Sequence, residues 1–240
     1  MKKSQAPLNL EDQVEDIVAS LKRMGSKSVR DGMVRYGLPP DNAFGIPVGQ
    51  MQKFAKDIGR NHELALALWE TGYYETRMVA AFIDDPALVT ASQMDSWCKD
   101  FDNWGIVDTV CFKLFDQTPH AWKKVEQWSR KREEFQKRAA FALLASLAGH
   151  DKAASNEQFL RCLPLIEKAA TDGRNFVKKG VSWGLRTVGR RNLELNAACT
   201  ALAQELSESA DPTSRWLGKE ALREFKSPVV ARQLKKRAKK

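Results

Sequence analysis

Lys137-Arg138-Ala139-Ala140-Phe141-Ala142-Leu143 sets a basic pair ahead of small and apolar residues, and the same grammar returns three more times in the chain. Thr76-Arg77-Met78-Val79-Ala80-Ala81-Phe82, Lys178-Lys179-Gly180-Val181-Ser182-Trp183-Gly184 and Ser214-Arg215-Trp216-Leu217-Gly218-Lys219-Glu220 align with it around a basic anchor. The anchors are Arg77, Arg138, Lys179 and Arg215, separated by 61, 41 and 36 residues, and the first gap has room for an additional helix pair at 91–115. A recurring motif with gaps of this order is how a chain built from stacked supersecondary units reads.

Helix signals cover nearly the whole chain. Leu10 to Met24 carries Val14, Ile17, Val18 and Leu21 on one helical face and ends at Gly25. Further helices are expected at about 28–36, 48–58, 62–71, 74–84, 91–101, 103–115, 119–129, 133–148, 156–170, 175–188, 192–207, 212–225 and 229–237. Gly37 with Pro39 and Pro40, Gly59, Gly72, Pro86, Thr118-Pro119, Gly149, Gly173, Gly189, Asp211-Pro212 and Ser227-Pro228 punctuate them. No stretch alternates with period two, so the fold class is all-α, and connections of a few residues force antiparallel neighbours.

The later gaps of 41 and 36 residues approach the length of HEAT or armadillo units. The expected architecture is therefore a HEAT-like helical-repeat solenoid. It forms a single domain over 1–240, with a disordered basic tail at 235–240. Stacked pairs line a concave face with the second helix of each pair. Arg77, Arg138, Lys179 and Arg215 then either make one basic row along that face or pack at solvent boundaries, as arginine also does in helix pairs.

Charge points either to a kind of partner or to no more than a soluble basic surface. Lys and Arg total 39 against 30 Asp and Glu, a net charge of +9. Residues 1–120 hold 13 basic and 17 acidic side chains, whereas residues 121–240 hold 26 and 13. A positive field concentrated in one half draws polyanions, nucleic acid first and an anionic membrane surface second. Apolar residues at 43% and charged residues at 29% are ordinary for a globular chain. No apolar run reaches the roughly 18 residues of a membrane span. The opening Met1-Lys2-Lys3-Ser4-Gln5 has no apolar signal region. Cys98, Cys111, Cys162 and Cys199 have no CxxC spacing, so reduced thiols, a cytoplasmic location and no metal are expected, with nucleoid association if the source is bacterial.

HExxH, GxxxxGK[ST], GxSxG and any Gly-rich phosphate loop are absent, so a cofactor-free chemistry is expected. The most unusual window is Phe101-Asp102-Asn103-Trp104-Gly105-Ile106-Val107-Asp108. Trp104 and Asp108, at i and i+4, share a helix face. Asp102 or Asn103 suits the N-cap, which leaves Asp108 a full turn inside and beyond any capping use. Spacing alone favours an ordinary salt bridge to a neighbouring helix, beside a core tryptophan, over a catalytic role. In 175–189, Trp183 and Arg186 share a face, with Lys179 one turn earlier. Gly180 and Gly184 flank this tryptophan at about 1 kcal/mol each relative to Ala. They clear space either for close helix packing or for a ligand backbone.

Together, Phe44-Gly45-Ile46-Pro47, Glu63-Leu64-Ala65-Leu66-Ala67-Leu68-Trp69-Glu70, Asp102-Asn103-Trp104 with Asp108, Lys137 to Ala142 and Trp183-Gly184-Leu185-Arg186 resemble the AlkD-type DNA alkylation repair glycosylases. The resemblance runs from about residue 30 to 225. It implies a HEAT-like solenoid that excises cationic N3- and N7-alkylated purines from duplex DNA without flipping the lesion, acting as a monomer with no cofactor. It further implies Trp104 and Trp183 as catalytic-site tryptophans, Asp108 as the catalytic carboxylate, Arg138 and Arg186 as phosphate contacts, and Tyr36 as a DNA contact. Lys179, beside Trp183, joins the DNA-binding set. The competing class is a non-catalytic helical-repeat scaffold that binds nucleic acid or an acidic protein through its basic face.

Overall fold

The computed structural model describes residues 9–237, all of whose regular elements are helical. They are α1 (Leu10–Met24), α2 (Lys27–Met33), a 3-10 turn (Val34–Tyr36), α3 (Val48–Ile58), α4 (His62–Glu70), α5 (Tyr74–Ile83), α6 (Ala91–Lys99) and α7 (Trp104–Lys113). A second 3-10 turn (Phe115–Gln117) precedes α8 (Ala121–Ser129), α9 (Glu134–His150), α10 (Asn156–Leu160), α11 (Leu163–Ala169), α12 (Asn175–Gly189), α13 (Leu193–Glu208), α14 (Pro212–Phe225) and α15 (Pro228–Arg237). The chain forms two compact units, Met1–Trp97 and Cys98–Lys240.

Six starts follow the side chains that cap them: Asn9, Ser26, Asn61, Asn103, Asn192 and Asp211 each accept an N–H from the first turn. Three expectations need correction. The helix read over 156–170 is two, because Pro164, near the start of α11, has no N–H for the carbonyl of Leu160 and its ring crowds that carbonyl. Gly149 does not separate segments but lies inside α9, where a side chain would meet open space. Lys235–Arg237, read as part of a disordered tail, are the last turn of α15; residues 238–240 lie outside the described residues.

In the first unit, α5 packs on α1, α3 and α4 around Leu21, Met51, Leu68, Met78 and Ile83. Trp69 and Trp97 stack with centroids 3.9 Å apart and planes 2° from parallel. The Phe44-Gly45-Ile46-Pro47 window is fixed by one buried carboxylate. Glu75, on α5, accepts the backbone N–H groups of Phe44 (2.8 Å), Gly45 (2.8 Å) and Ile46 (3.2 Å). Gly45 has a φ of +84°, and a Cβ there would stand 2.3 Å from the Ser26 carbonyl oxygen, so only glycine fits this turn.

In the second unit, α9 packs against α7, α8 and α12, and α12 continues to α13 and α14. The helices α7, α9, α12 and α14 are successive neighbours in one layer, backed by α8, α11 and α13. Residues Arg138 to Ala148 of α9 are all buried, as an element covered on every side must be. The four aligned cations do different things. Arg77, in the first unit, lies over the Trp69 ring at 5.1 Å. In the second unit, Arg138 is 6% exposed, Lys179 is exposed, and Arg215 donates to the carbonyls of Ser209 (2.6 Å) and Ala210 (3.0 Å). A basic row does not follow from this arrangement.

Glu75→Ala should lower stability by about 3 kcal/mol or more, since three buried N–H groups lose their acceptor together. Urea denaturation checks this; a midpoint within error of wild type would contradict the nest described.

Candidate functional site

The N-terminus of α7 is set by Asn103, whose side-chain oxygen accepts the Ile106 N–H at 3.0 Å. Asp102 accepts from the Asn103 side-chain amide at 2.6 Å and so steadies the cap. Trp104 is thus the first helical residue, half-buried, and Asp108 sits one turn further in.

Asp108 is met by Arg138 from α9. The guanidinium donates from Nε to Oδ1 at 2.9 Å and from Nη2 to Oδ2 at 2.7 Å, the parallel two-bond geometry that makes such pairs strong. Its Nη1 donates to the Phe176 carbonyl in the first turn of α12 at 2.8 Å. Three of the five N–H groups an arginine carries therefore tie α7, α9 and α12 together. Burial pushes the Asp108 carboxyl above its usual value, while the Arg138 charge and hydrogen bonds work the other way. The Asp108 side chain keeps 20% of its surface open, against 8% for Arg138. The Asp108 side chain is therefore not fully covered.

The junction is reinforced around its rim. Glu134, on α9, accepts the Phe176 N–H at 3.0 Å, and Phe135 lies against Phe176. Asp172 binds Arg174 through both oxygens, at 2.9 and 2.6 Å, and Lys137 at 3.0 Å; these bonds hold its carboxyl far below the usual range. Gly180 and Gly184 bring α12 close to α9. A Cβ on Gly180 would stand 3.3 Å from Arg138 Cγ, and one on Gly184 3.4 Å from the Phe141 carbonyl oxygen. Of their two expected uses, close helix packing is the one seen.

Farther along α12, Trp183 is half-buried and Lys179 exposed. Arg186 is engaged: its Nε donates to the carbonyl (3.2 Å) and hydroxyl (3.1 Å) of Ser182, and its Nη1 pairs with Glu224 of α14. Arg190 reaches the same carboxylate at 3.2 Å. Glu224 and Arg190 were missed in the sequence because the pairing spans 38 residues between Arg186 and Glu224 and leaves no local mark. Tyr36 closes the 3-10 turn of the first unit and is 70% exposed.

The four cysteines are buried and unbridged, and burial pushes the Cys162 and Cys199 thiols to about 12. Among the described residues no group of His, Cys, Asp and Glu is placed to hold a metal ion, and no helix is long and apolar enough to cross a membrane.

Antiparallel helix pairs stacked in sequence, with Asp108, Arg138, Trp183 and Arg186 all drawn from one layer of the second unit, define a helical-repeat protein. The family model described as DNA alkylation repair enzyme matches residues 17–225, so the chain belongs to that family. A solved structure described as "A new family of proteins related to the HEAT-like repeat DNA glycosylases with affinity for branched DNA structures" is similar in fold. Its TM-score is 0.73 at 22% identity, covering 88% of this chain and 94% of that one. A designed armadillo repeat protein in complex with a (KR)4 peptide is far more distant, with a TM-score of 0.38 at 14% identity over 80% of each chain. None of the curated protein sequences compared matches. The HEAT-like repeat fold read from the sequence is the fold observed.

Arg138→Ala should cost about 2 kcal/mol or more, because it strands a mostly buried carboxylate and frees the Phe176 carbonyl. A side chain serving only as a solvent-facing cation would cost no more than about 0.5 kcal/mol. Urea midpoints of wild type, Arg138→Ala and Lys179→Ala separate the two, with Lys179→Ala expected to match wild type.

Proposed function

We propose that the protein is a cofactor-free DNA glycosylase that removes cationic N3- and N7-alkylated purines from duplex DNA without drawing the base into a pocket. The observation that carries this reading is Asp108, an internal helix carboxylate oriented through both oxygens by Arg138 on a side chain that is one-fifth exposed. Membership of a DNA alkylation repair family supplies the substrate class.

The chemistry asks little of the protein. An alkylated purine already carries positive charge, so it departs with the electron pair of the N-glycosidic bond and needs no acid to protonate it. The charge left behind spreads over C1′ and the ring oxygen of the sugar. A fixed carboxylate beside that cation binds it more tightly than the neutral ground state, which is the condition for lowering a barrier. Water then adds to C1′ and its proton passes to Asp108 or to solvent, leaving an abasic site. The faces of Trp104 and Trp183 add a cation–π contribution of about 0.5–2 kcal/mol.

Each oxygen of Asp108 accepts one N–H from Arg138, which holds the carboxylate in place but also withdraws some of its field. In this reading Arg138 positions Asp108 as well as meeting the DNA backbone. Lys179 and Arg186 meet flanking phosphates, contacts that fix register without reading sequence. Tyr36 meets the DNA from the first unit.

A second reading is a binding protein without catalysis. It is favoured by the neutralisation of Asp108 in this pair and by the affinity for branched DNA ascribed to the protein of similar fold.

Duplexes carrying N7-methylguanine, a bulky N7 adduct or uracil separate these readings. Sugar-centred catalysis predicts release of both cationic bases and none of uracil, whose neutral leaving group needs an acid or a close-fitting pocket. Rejection of the bulky adduct while methylguanine is released would mean that a shape-reading pocket exists. Release of no base, with tight binding of branched DNA, would establish the second reading.

A further inference from the structure

Glu224 occupies an unusual position for a surface carboxylate. Arg186, in the last turn of α12, and Arg190, the residue that caps its C-terminus, both reach Glu224, Arg186 through Nη1 to Oε2 and Arg190 through Nη1 to Oε1 at 3.2 Å. Arg186 is steadied by Ser182, and Arg190 Nη2 lies 3.4 Å from the Thr187 hydroxyl, so both heads are oriented by residues of α12. Two cations thus face one anion, which leaves a net positive charge at the spot. The fit is also incomplete: Glu224 Oε1 is buried and makes no hydrogen bond of proper geometry, despite its ion pair with Arg190. A planar carboxylate with two oxygens serves two guanidinium groups less well than a tetrahedral phosphate with more acceptor directions. The arginine side chains are 24% and 36% exposed, so the cluster can be reached from solvent.

We propose that Glu224 is an internal stand-in for a DNA backbone phosphate, holding Arg186 and Arg190 together in the free protein and giving them up when a phosphate arrives. Its charge sets the affinity of the protein for duplex DNA, and Arg190 belongs to the DNA-contacting set with Arg186. This rests on the DNA-binding reading above. It explains why a residue that the family resemblance implies as a phosphate contact is already paired. A bare pair of arginines one turn apart would repel and splay, whereas the pair held by Glu224 is set before DNA binds.

The test is equilibrium binding of the full chain to a labelled, undamaged duplex across a range of salt concentrations. Glu224→Gln keeps the shape and removes the charge. It should bind about tenfold tighter than wild type near 0.1 M salt, with a log–log salt slope steeper by about 1. Glu220→Gln is the control: it removes an equal charge from the same helix, where Glu220 pairs with Arg223 and touches neither Arg186 nor Arg190. It should shift binding less than about twofold. Arg186→Ala should cost more in the Glu224→Gln background than in wild type. Glu224→Asp keeps the charge on a shorter arm and should fall between wild type and Glu224→Gln; it serves in place of Glu224→Gln if that variant unfolds. Equal effects of Glu224→Gln and Glu220→Gln, or no gain from either Glu224 variant, would overturn the inference and show Glu224 to be only a staple between α12 and α14. Failure of wild type to bind duplex DNA at any salt concentration would instead defeat the DNA-binding reading itself.

Discussion

The pair between Asp108 and Arg138 is the constraint around which the second unit is arranged. A carboxylate one turn into a helix, without a capping role, is costly to cover unless a cation comes with it. That cation arrives from α9 and spends a third N–H on the carbonyl of Phe176, so one guanidinium fixes the mutual setting of three helices. The same contact that stabilises the layer holds the carboxylate in a single orientation. Structure and proposed chemistry therefore depend on the same two side chains.

The composition of α9 and α12 follows from that geometry. For Arg138 to reach both neighbours, α12 must come close to α9, and the glycines at 180 and 184 are what permit it. Alanines at 139, 140, 142, 145 and 148, all buried, keep α9 slim among α7, α8 and α12. Larger residues at these places would separate the helices and break the bond to Phe176 first, because it spans the α9–α12 gap. Glu134 and Asp172 add bonds at the same end, so the first turn of α12 is held from several sides.

Helix positions were readable because their signals are local: Asn at the caps, proline and glycine between segments, apolar residues on one face. The misread places are those where a local signal had two meanings. Gly149 reads as a break and is a surface position of α9; the helix expected over 156–170 ran through Pro164, which sits at the start of α11 instead. Asp108 stood out as an internal carboxylate, and its partner stood out separately as a repeat anchor, but nothing in the spacing joined the two. The repeat alignment found Arg138, Lys179 and Arg215 yet gave no information on where each side chain points. Arg138 turns inward to a carboxylate, Arg215 to its own preceding loop, and Lys179 to solvent. Contacts between repeats, such as Arg186 with Glu224, depend on how far one helix pair is rotated on the next, which the sequence does not state.

The most direct measurement is single-turnover release of N7-methylguanine from duplex DNA by wild type and Asp108→Asn, with DNA binding and unfolding followed in parallel. The asparagine keeps the shape but not the charge. If the carboxylate stabilises the developing sugar cation, release should fall by about a hundredfold or more while duplex affinity holds within a few fold. Equal release by the two proteins at saturating enzyme would contradict a catalytic role for Asp108 and leave its pair with Arg138 a matter of folding alone.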